Sequence, residues 1–387
     1  MRHVRNALLT GSVLALAACA NDQGSPVAAP QEAAAPLRSA AGGRAIEGSY
    51  IVVLREGADP RSVAAVAGVE PSYVYTAAVN GFAASLNHGQ LNALRHNPNV
   101  DYVEEDQQYD AVATQSGATW GIDRIDQRSR PLSGTYNYTS TASSVYAYII
   151  DTGIYASHAN FGGRASNVYD ALGGNGTDCN GHGTHVAGTV GSSTYGVAKA
   201  VRLRGLRVLN CSGSGATSGI ISAIDWVRVN RVNPAVANLS LGGGYSSTLN
   251  TAITNLSNSG VFVAVAAGNE NQAACNVSPA SAAAATTVAA STSSDARASY
   301  SNYGSCVDIY APGSSITSTW LNGGTNTISG TSMASPHVAG VGALYKATYG
   351  NAASSTIDSW LKTNSTANVI TSNPSGTPNR LLFKSTL

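Results

Sequence analysis

The 387-residue chain has room for two or three domains, and its composition, 43% hydrophobic with 41 Gly and 18 Tyr, is that of a globular protein. Only 11% of residues are charged and the formal net charge is +1, against ~25% charged in ordinary soluble domains, so Ser, Thr and Asn must cover much of the surface. That balance supplies neither a basic field for nucleic acid nor an acidic tail, and no nucleic-acid partner is expected.

MRHVRN is positively charged and Ala7 to Ala18 is apolar but too short to span a bilayer, so residues 1–19 read as an export signal. Leu16-Ala17-Ala18-Cys19 fits a bacterial lipobox, which would lipidate Cys19; cleavage after Ala20 is the alternative. Residues 20–45, rich in Ala, Pro, Gln and Ser and without periodicity, read as a flexible linker. Residues 46–112 form a small α+β unit: SYIVVLRE and NGFAASL alternate like strands, and LNALRHN is a short helix candidate ahead of NVDYVEED. A domain of about 65 residues buries only ~60% of its surface and is marginal alone.

From residue 113 to 387 the pattern changes. SVYAYIID, VRLRGLRVL, AVANLSL, GVFVAVAAG, TTVAAS and CVDIYAPG are apolar runs without polar alternation, the signature of strands buried on both faces. Helical stretches lie between them. In TSGIISAIDWVRVNR, Ile220, Ile221, Ile224 and Val227 share one face. Alternating strands and helices predict an α/β fold with a doubly wound, mostly parallel sheet. Function in such sheets gathers at the carboxyl ends of strands, where Asp151, Ser240 and Asn269 fall.

Three segments carry the chemistry: YIIDTG around Asp151, NGHGTHVAGT around His182 and SGTSMASPHVAG around Ser332. A serine hydroxyl attacks at neutral pH only when a base takes its proton. Histidine suits that task, and a buried carboxylate fixes its tautomer. Ser332 precedes a helical run, with Pro336 read within the first turn, and a helix N-terminus offers N–H groups to an oxyanion. A lipase or esterase would need G-x-S-x-G and the order Ser, Asp, His. GTSMA and the opposite order rule that out.

With these motifs in the order Asp, His, Ser, and with ATQSGATWGIDRIDQR, PAVANLSLGGG, AVAAGNE and SSDARASYSNYGSCVD, the region from residue 113 onward resembles the subtilases, most closely their proteinase K and aqualysin branch. The resemblance implies a secreted serine endopeptidase of broad specificity in which Asp151 orients His182, His182 is the base and Ser332 the nucleophile. His185, three residues on, is the rival base, and the family's motif assigns the first histidine. Asn269 matches the side-chain donor of the oxyanion hole. Ser240-Leu241-Gly242 and Ala266-Ala267-Gly268 match the walls of the S1 pocket, and the run around Gly213 matches an edge strand that pairs with extended substrate. Thr217 stands where proteinase K carries a tyrosine near S4.

The resemblance carries further implications. Residues 46–112 resemble the subtilase inhibitory propeptide, which makes protein and peptide substrates and the chain's own propeptide the partners of a monomeric mature enzyme. Val112–Ala113 matches the self-processing site, with Tyr109 in S4. Four cysteines permit three pairings, and the family's bridges select Cys179–Cys211 and Cys275–Cys306. Structural Ca²⁺ is implied at Asp308 with the carbonyls of Ala283 and Ala285, and at Asp123, Asp126 and Gln127.

Overall fold

A computed structural model describes residues 33–40, 45–107 and 113–387. The export signal with Cys19, most of the linker, and Tyr109 and Val112 lie outside the described residues. Among those described, no helix is long and apolar enough to cross a membrane. The chain divides into two compact units, one ending at Gln108 and one starting at Tyr109.

The smaller unit is a five-stranded sheet in the order β1 (Leu37–Arg38), β5 (Val100–Gln107), β2 (Ala45–Leu54), β4 (Gly81–Ser85), β3 (Tyr73–Tyr75). Helices α1 (Pro60–Val66) and α2 (His88–Arg95) supply Val63, Ala64 and Leu94 to a core with Val52, Leu54, Phe82 and Val103. Both helix starts are capped by side chains, α1 by Asp59 and α2 by a reciprocal Asn87–Gln90 box. One correction concerns the linker. Leu37 and Arg38, within the stretch read as flexible, pair in parallel with Val103 and Glu104. Two contacts hold them there: Ala35 exchanges hydrogen bonds with Arg95, and the Arg38 guanidinium lies 3.4 Å from the Tyr102 ring centroid.

The larger unit opens with the ribbon β6 (Ala113–Ser116) and β7 (Thr135–Tyr138), on either side of α3 (Trp120–Asp126) in sequence. Its main sheet contains β8 (Tyr146–Asp151), β9 (Ala165–Asp170), β10 (Arg202–Arg207), β11 (Ala235–Leu239), β13 (Phe262–Ala266), β15 (Thr286–Ser291), β16 (Ile309–Pro312), β19 (Thr366–Ala367) and β20 (Arg380–Leu381). Short ribbons pair β12 (Gly243–Gly244) with β14 (Val277–Ser278), and β17 (Ile316–Thr319) with β18 (Thr325–Ile328). The sheet order is β19-β20-β16-β15-β13-β11-β8-β10-β9, parallel throughout except at β19.

Helices cover both faces, as the apolar runs require. Ala147 and Ile149 of β8 face a core shared with α4 (His182–Gly191) and α7 (Thr331–Tyr349). Tyr148 and Ile150 face the opposite core, built with α5 (Thr217–Asn230) and α6 (Ser247–Asn258). In α5, Ile220, Ile224 and Val227 are buried and Ile221 is half-buried. The last helix, α8 (Ser354–Asn364), buries Ile357 and Leu361. From β8 the chain goes first to β9 and β10 on one side and then to β11 on the other, so the reversal of strand order falls beside β8. A crevice outside the carboxyl ends of β8 and β11 is what this topology creates.

Candidate active site

Asp151 ends β8 at that reversal and is fully buried. Its Oδ1 accepts the Thr152 N–H at 2.8 Å and the His182 Nδ1–H at 2.7 Å, while Oδ2 has no partner among the described residues. His182 is the first residue of α4, and its side chain is 24% exposed. The glycines on either side of this contact permit the close approach. A Cβ on Gly183 would lie 2.2 Å from the Gly153 carbonyl oxygen.

Asp178, which sequence reading missed, organises the α4 entrance. Its Oδ1 accepts Thr152 Oγ1 and the N–H groups of Asn180 and Gly181, each at 2.9 Å; Oδ2 accepts the Thr184 N–H at 3.0 Å and Oγ1 at 2.6 Å. Thr152 Oγ1 in turn accepts the Gly183 N–H at 2.9 Å. A carboxylate four residues ahead of His182 was the available signal, since acidic side chains cap helix starts. Burial draws the His182 imidazole down, but the charge and hydrogen bond of Asp151 and the charge of Asp178 outweigh it and leave the group above its ordinary 6.5.

The rival His185 lies elsewhere. It is fully buried, its Nε2 is 2.9 Å from the Ile316 carbonyl, and burial lowers it to about 4. A histidine held neutral and out of water cannot serve a substrate in the cleft.

Ser332 is the second residue of α7, and Pro336 is the sixth, beyond the first turn in which sequence reading set it. The position explains its tolerance. Pro336 has no N–H to give the carbonyl four residues back, which belongs to Ser332. That carbonyl accepts Ser240 Oγ–H at 2.7 Å instead. Ser240 Oγ also accepts from Asn238 Nδ2 at 2.9 Å, and Asn238 Oδ1 accepts from Ser335 Oγ at 2.7 Å. This buried relay ties the end of β11 to the start of α7, and neither Asn238 nor Ser335 was singled out from sequence.

Ser332 Oγ donates to the Ser240 carbonyl at 3.2 Å rather than to His182. Free enzymes often hold catalytic hydrogen bonds long or turned away. Ser240, whose carbonyl accepts the Ser332 hydroxyl, lines a cleft of about 530 Å³ together with His182. Asn269 Oδ1 accepts the Thr331 N–H at 2.8 Å and Oγ1 at 3.0 Å, which fixes the amide's orientation. A Cβ on Gly330 would lie 3.6 Å from the Ser332 N, 3.7 Å from Met333 Sδ and 3.8 Å from Asn269 Nδ2, so both nitrogens border the same space.

The residues of the expected pocket walls divide between two cavities that share Gly242. Gly242, Ala266 and Gly268 line a cavity of about 300 Å³, with Glu270 among its walls, while Ser240 and Leu241 line the neighbouring cleft with Gly213. Ala267 is fully buried behind them. Gly213 is not in a strand. Residues 208–216 form an irregular loop closed by Asn210, whose Oδ1 accepts the N–H groups of Ser212 and Ser214. Asn210 closes the segment on itself, so among the described residues it forms no ladder. Thr217 begins α5.

The two disulfides join Cys179 to Cys211 and Cys275 to Cys306, with Cα separations of 5.0 and 5.3 Å. The first lies next to Asp178 in sequence and tethers the Gly213 loop to the His182 segment.

Residues 143–381 match the subtilase family and residues 49–111 match peptidase inhibitor I9. The chain belongs to the subtilase family. This subtilase is 50% identical to an extracellular serine proteinase of Thermus sp. (strain Rt41A), over 97% of this chain and 98% of that one. It is 49% identical to a cuticle-degrading protease of Metarhizium anisopliae, over 80% and 82% of the two chains, and 48% identical to proteinase R of Parengyodontium album, over 83% and 84%. A crystal structure of a cold-adapted subtilisin-like serine proteinase superposes with a TM-score of 0.68 at 52% identity, covering 70% of this chain and 99% of that one. The chain is thus a serine endopeptidase of the subtilase family, made with an inhibitory propeptide.

Structural calcium is common among subtilases. Among the described residues, no three His, Cys, Asp or Glu side chains gather as a metal site. Asp123 and Gln127 meet at Ser133, whose N–H both side chains accept, but Asp126 turns to Lys384 Nζ at 3.1 Å and to Asn137. Asp308 faces Lys362 Nζ at 2.7 Å.

Proposed function

We propose that this subtilase hydrolyses peptide bonds by nucleophilic attack of Ser332, with His182 as general base and Asp151 as its orienting carboxylate. The observation that carries the reading is the 2.7 Å contact between His182 Nδ1 and buried Asp151 in the cleft that Ser240 shares. With Nδ1–H committed to Asp151, Nε2 is left as the base. Rotation of the Ser332 hydroxyl away from the Ser240 carbonyl gives it a proton path to Nε2. The Ser332 N–H and Asn269 Nδ2 then hold the oxyanion, and the imidazolium returns the proton to the leaving amine.

Substrate is held as an extended peptide along the Gly213 loop and Ser240–Gly242, with a P1 side chain between Gly242–Gly244 and Ala266–Gly268. Residues 46–112 act as a temporary inhibitor until cleavage at Val112–Ala113, which frees a soluble monomer whichever way Cys19 is processed. Calcium is assigned to neither expected site in this reading: at Asp123 both carboxylate oxygens already accept hydrogen bonds, from Ser133 and from the Gly134 N–H, and Gln127 Oε1 accepts the Ser133 N–H. Asp126 serves as the partner of Lys384. Ser332→Ala should abolish proteolysis, with a loss of about 10⁶ in kcat, as loss of the nucleophile causes in subtilisin. The same variant should accumulate as uncut precursor; normal maturation without added protease would refute self-processing.

A further inference from the structure

The Asp308 region does not have the form of a calcium cage. Calcium takes six to eight oxygen ligands at about 2.3–2.6 Å, and it needs carboxylate oxygens free to turn toward it. All four oxygens of the two local carboxylates are engaged. Asp308 Oδ2 accepts the Thr287 N–H at 2.8 Å, and Asp308 Oδ1 lies 2.7 Å from Lys362 Nζ. Asp358 Oδ1 accepts Thr286 Oγ1–H at 2.9 Å, and Asp358 Oδ2 lies 2.6 Å from the same Nζ. The side chain of Asp358, with Ala283 and Ala285, lines a cavity of about 250 Å³. Asp358 thus links the cavity at Ala283 and Ala285 to the ammonium that also faces Asp308.

We infer that Lys362 is a covalently attached cation that takes the place of Ca²⁺ at Asp308. The geometry supplies what a metal would supply there. Asp358 and Lys362 are one helical turn apart on α8, so their contact is a favourable local pair. Lys362 reaches from α8 to Asp308 at the entry to β16, and Asp358 reaches to Thr286 at the entry to β15. One ammonium thus fastens the C-terminal helix to two adjacent parallel strands. A divalent ion would have to displace it, break two hydrogen bonds and leave the ammonium without its carboxylates.

The test is calcium binding by calorimetry on mature, phosphonate-inactivated enzyme, stripped with chelator and titrated with CaCl₂. Wild type and Asp308→Asn should bind the same number of ions. Lys362→Ala should bind one more, and Lys362→Ala/Asp308→Asn should lose that extra site. Lys362→Met, which keeps most of the apolar stem, serves if the alanine variant does not fold. The gained ion should also raise the thermal midpoint of the lysine variant, while Asp308→Asn should leave the calcium response of wild type unchanged. If Asp308→Asn binds one ion fewer than wild type, calcium displaces the lysine and the inference fails. It fails equally if neither lysine variant gains a site.

Discussion

Asp151–His182 and Asp308–Lys362 are both carboxylate–nitrogen contacts of 2.7 Å beside strands of one parallel sheet, yet only the first is proposed to do chemistry. The difference lies in what each leaves unfinished. At Asp308 and Asp358 every carboxylate oxygen has a donor. Burial works against the Lys362 ammonium, but hydrogen bonds to both carboxylates more than offset it and hold it above its ordinary value, while burial raises Asp308 above its own. At Asp151 one oxygen has no partner among the described residues, and the nitrogen belongs to an imidazole whose charge changes near neutrality. A saturated pair fastens elements together; an unsaturated pair is available for chemistry.

Breaking the active pair should have the larger consequence. Asp151→Asn keeps the shape but presents a donor or a weaker acceptor to Nδ1–H, which spoils the tautomer. A loss of about 10⁴ in kcat is expected from the matching change in serine proteases, with little change in thermal midpoint. Single-turnover kinetics on a peptide ester would measure it, and a loss below tenfold would remove Asp151 from the mechanism.

A smaller effect is expected at Asp178, which holds the α4 entrance through five hydrogen bonds and touches no substrate. Asp178→Asn should lower plateau kcat/KM by about tenfold and cost ~1–3 kcal/mol of stability, since an amide nitrogen must face N–H donors. It also removes a charge that raises His182. Activity requires the neutral imidazole, so kcat/KM falls as pH drops through the raised His182 value. In Asp178→Asn that acid limb should move to lower pH. Lost stability with an unmoved limb would reduce Asp178 to a structural cap.

Local features were the most legible in the sequence. Apolar runs without alternation marked strands buried on both faces, and the residues ending them marked the crevice. Contacts between distant segments were not. Asp178 gathers donors from Thr152 to Thr184, and Asn238 with Ser335 joins β11 to α7 across about a hundred residues; no periodicity announces such ties. Pro336 was assigned one turn too early because its compensation, Ser240 Oγ on the Ser332 carbonyl, lies in another segment. The Gly213 run, read as an edge strand, is a loop because Asn210 folds it back on itself. Lys362 was not singled out, because its partner Asp308 lies in another segment.

The central claim, that one cleft joins Ser332 to the Asp151–His182 pair, is tested most directly by covalent labelling. Mature enzyme is treated with a serine-directed fluorophosphonate across about pH 5 to 9, and the adduct is mapped by mass spectrometry. The prediction is a single adduct on Ser332, with a labelling rate that falls as pH drops through the His182 value and collapses in His182→Ala. Labelling at another serine, or at Ser332 with a rate indifferent to His182, would contradict it.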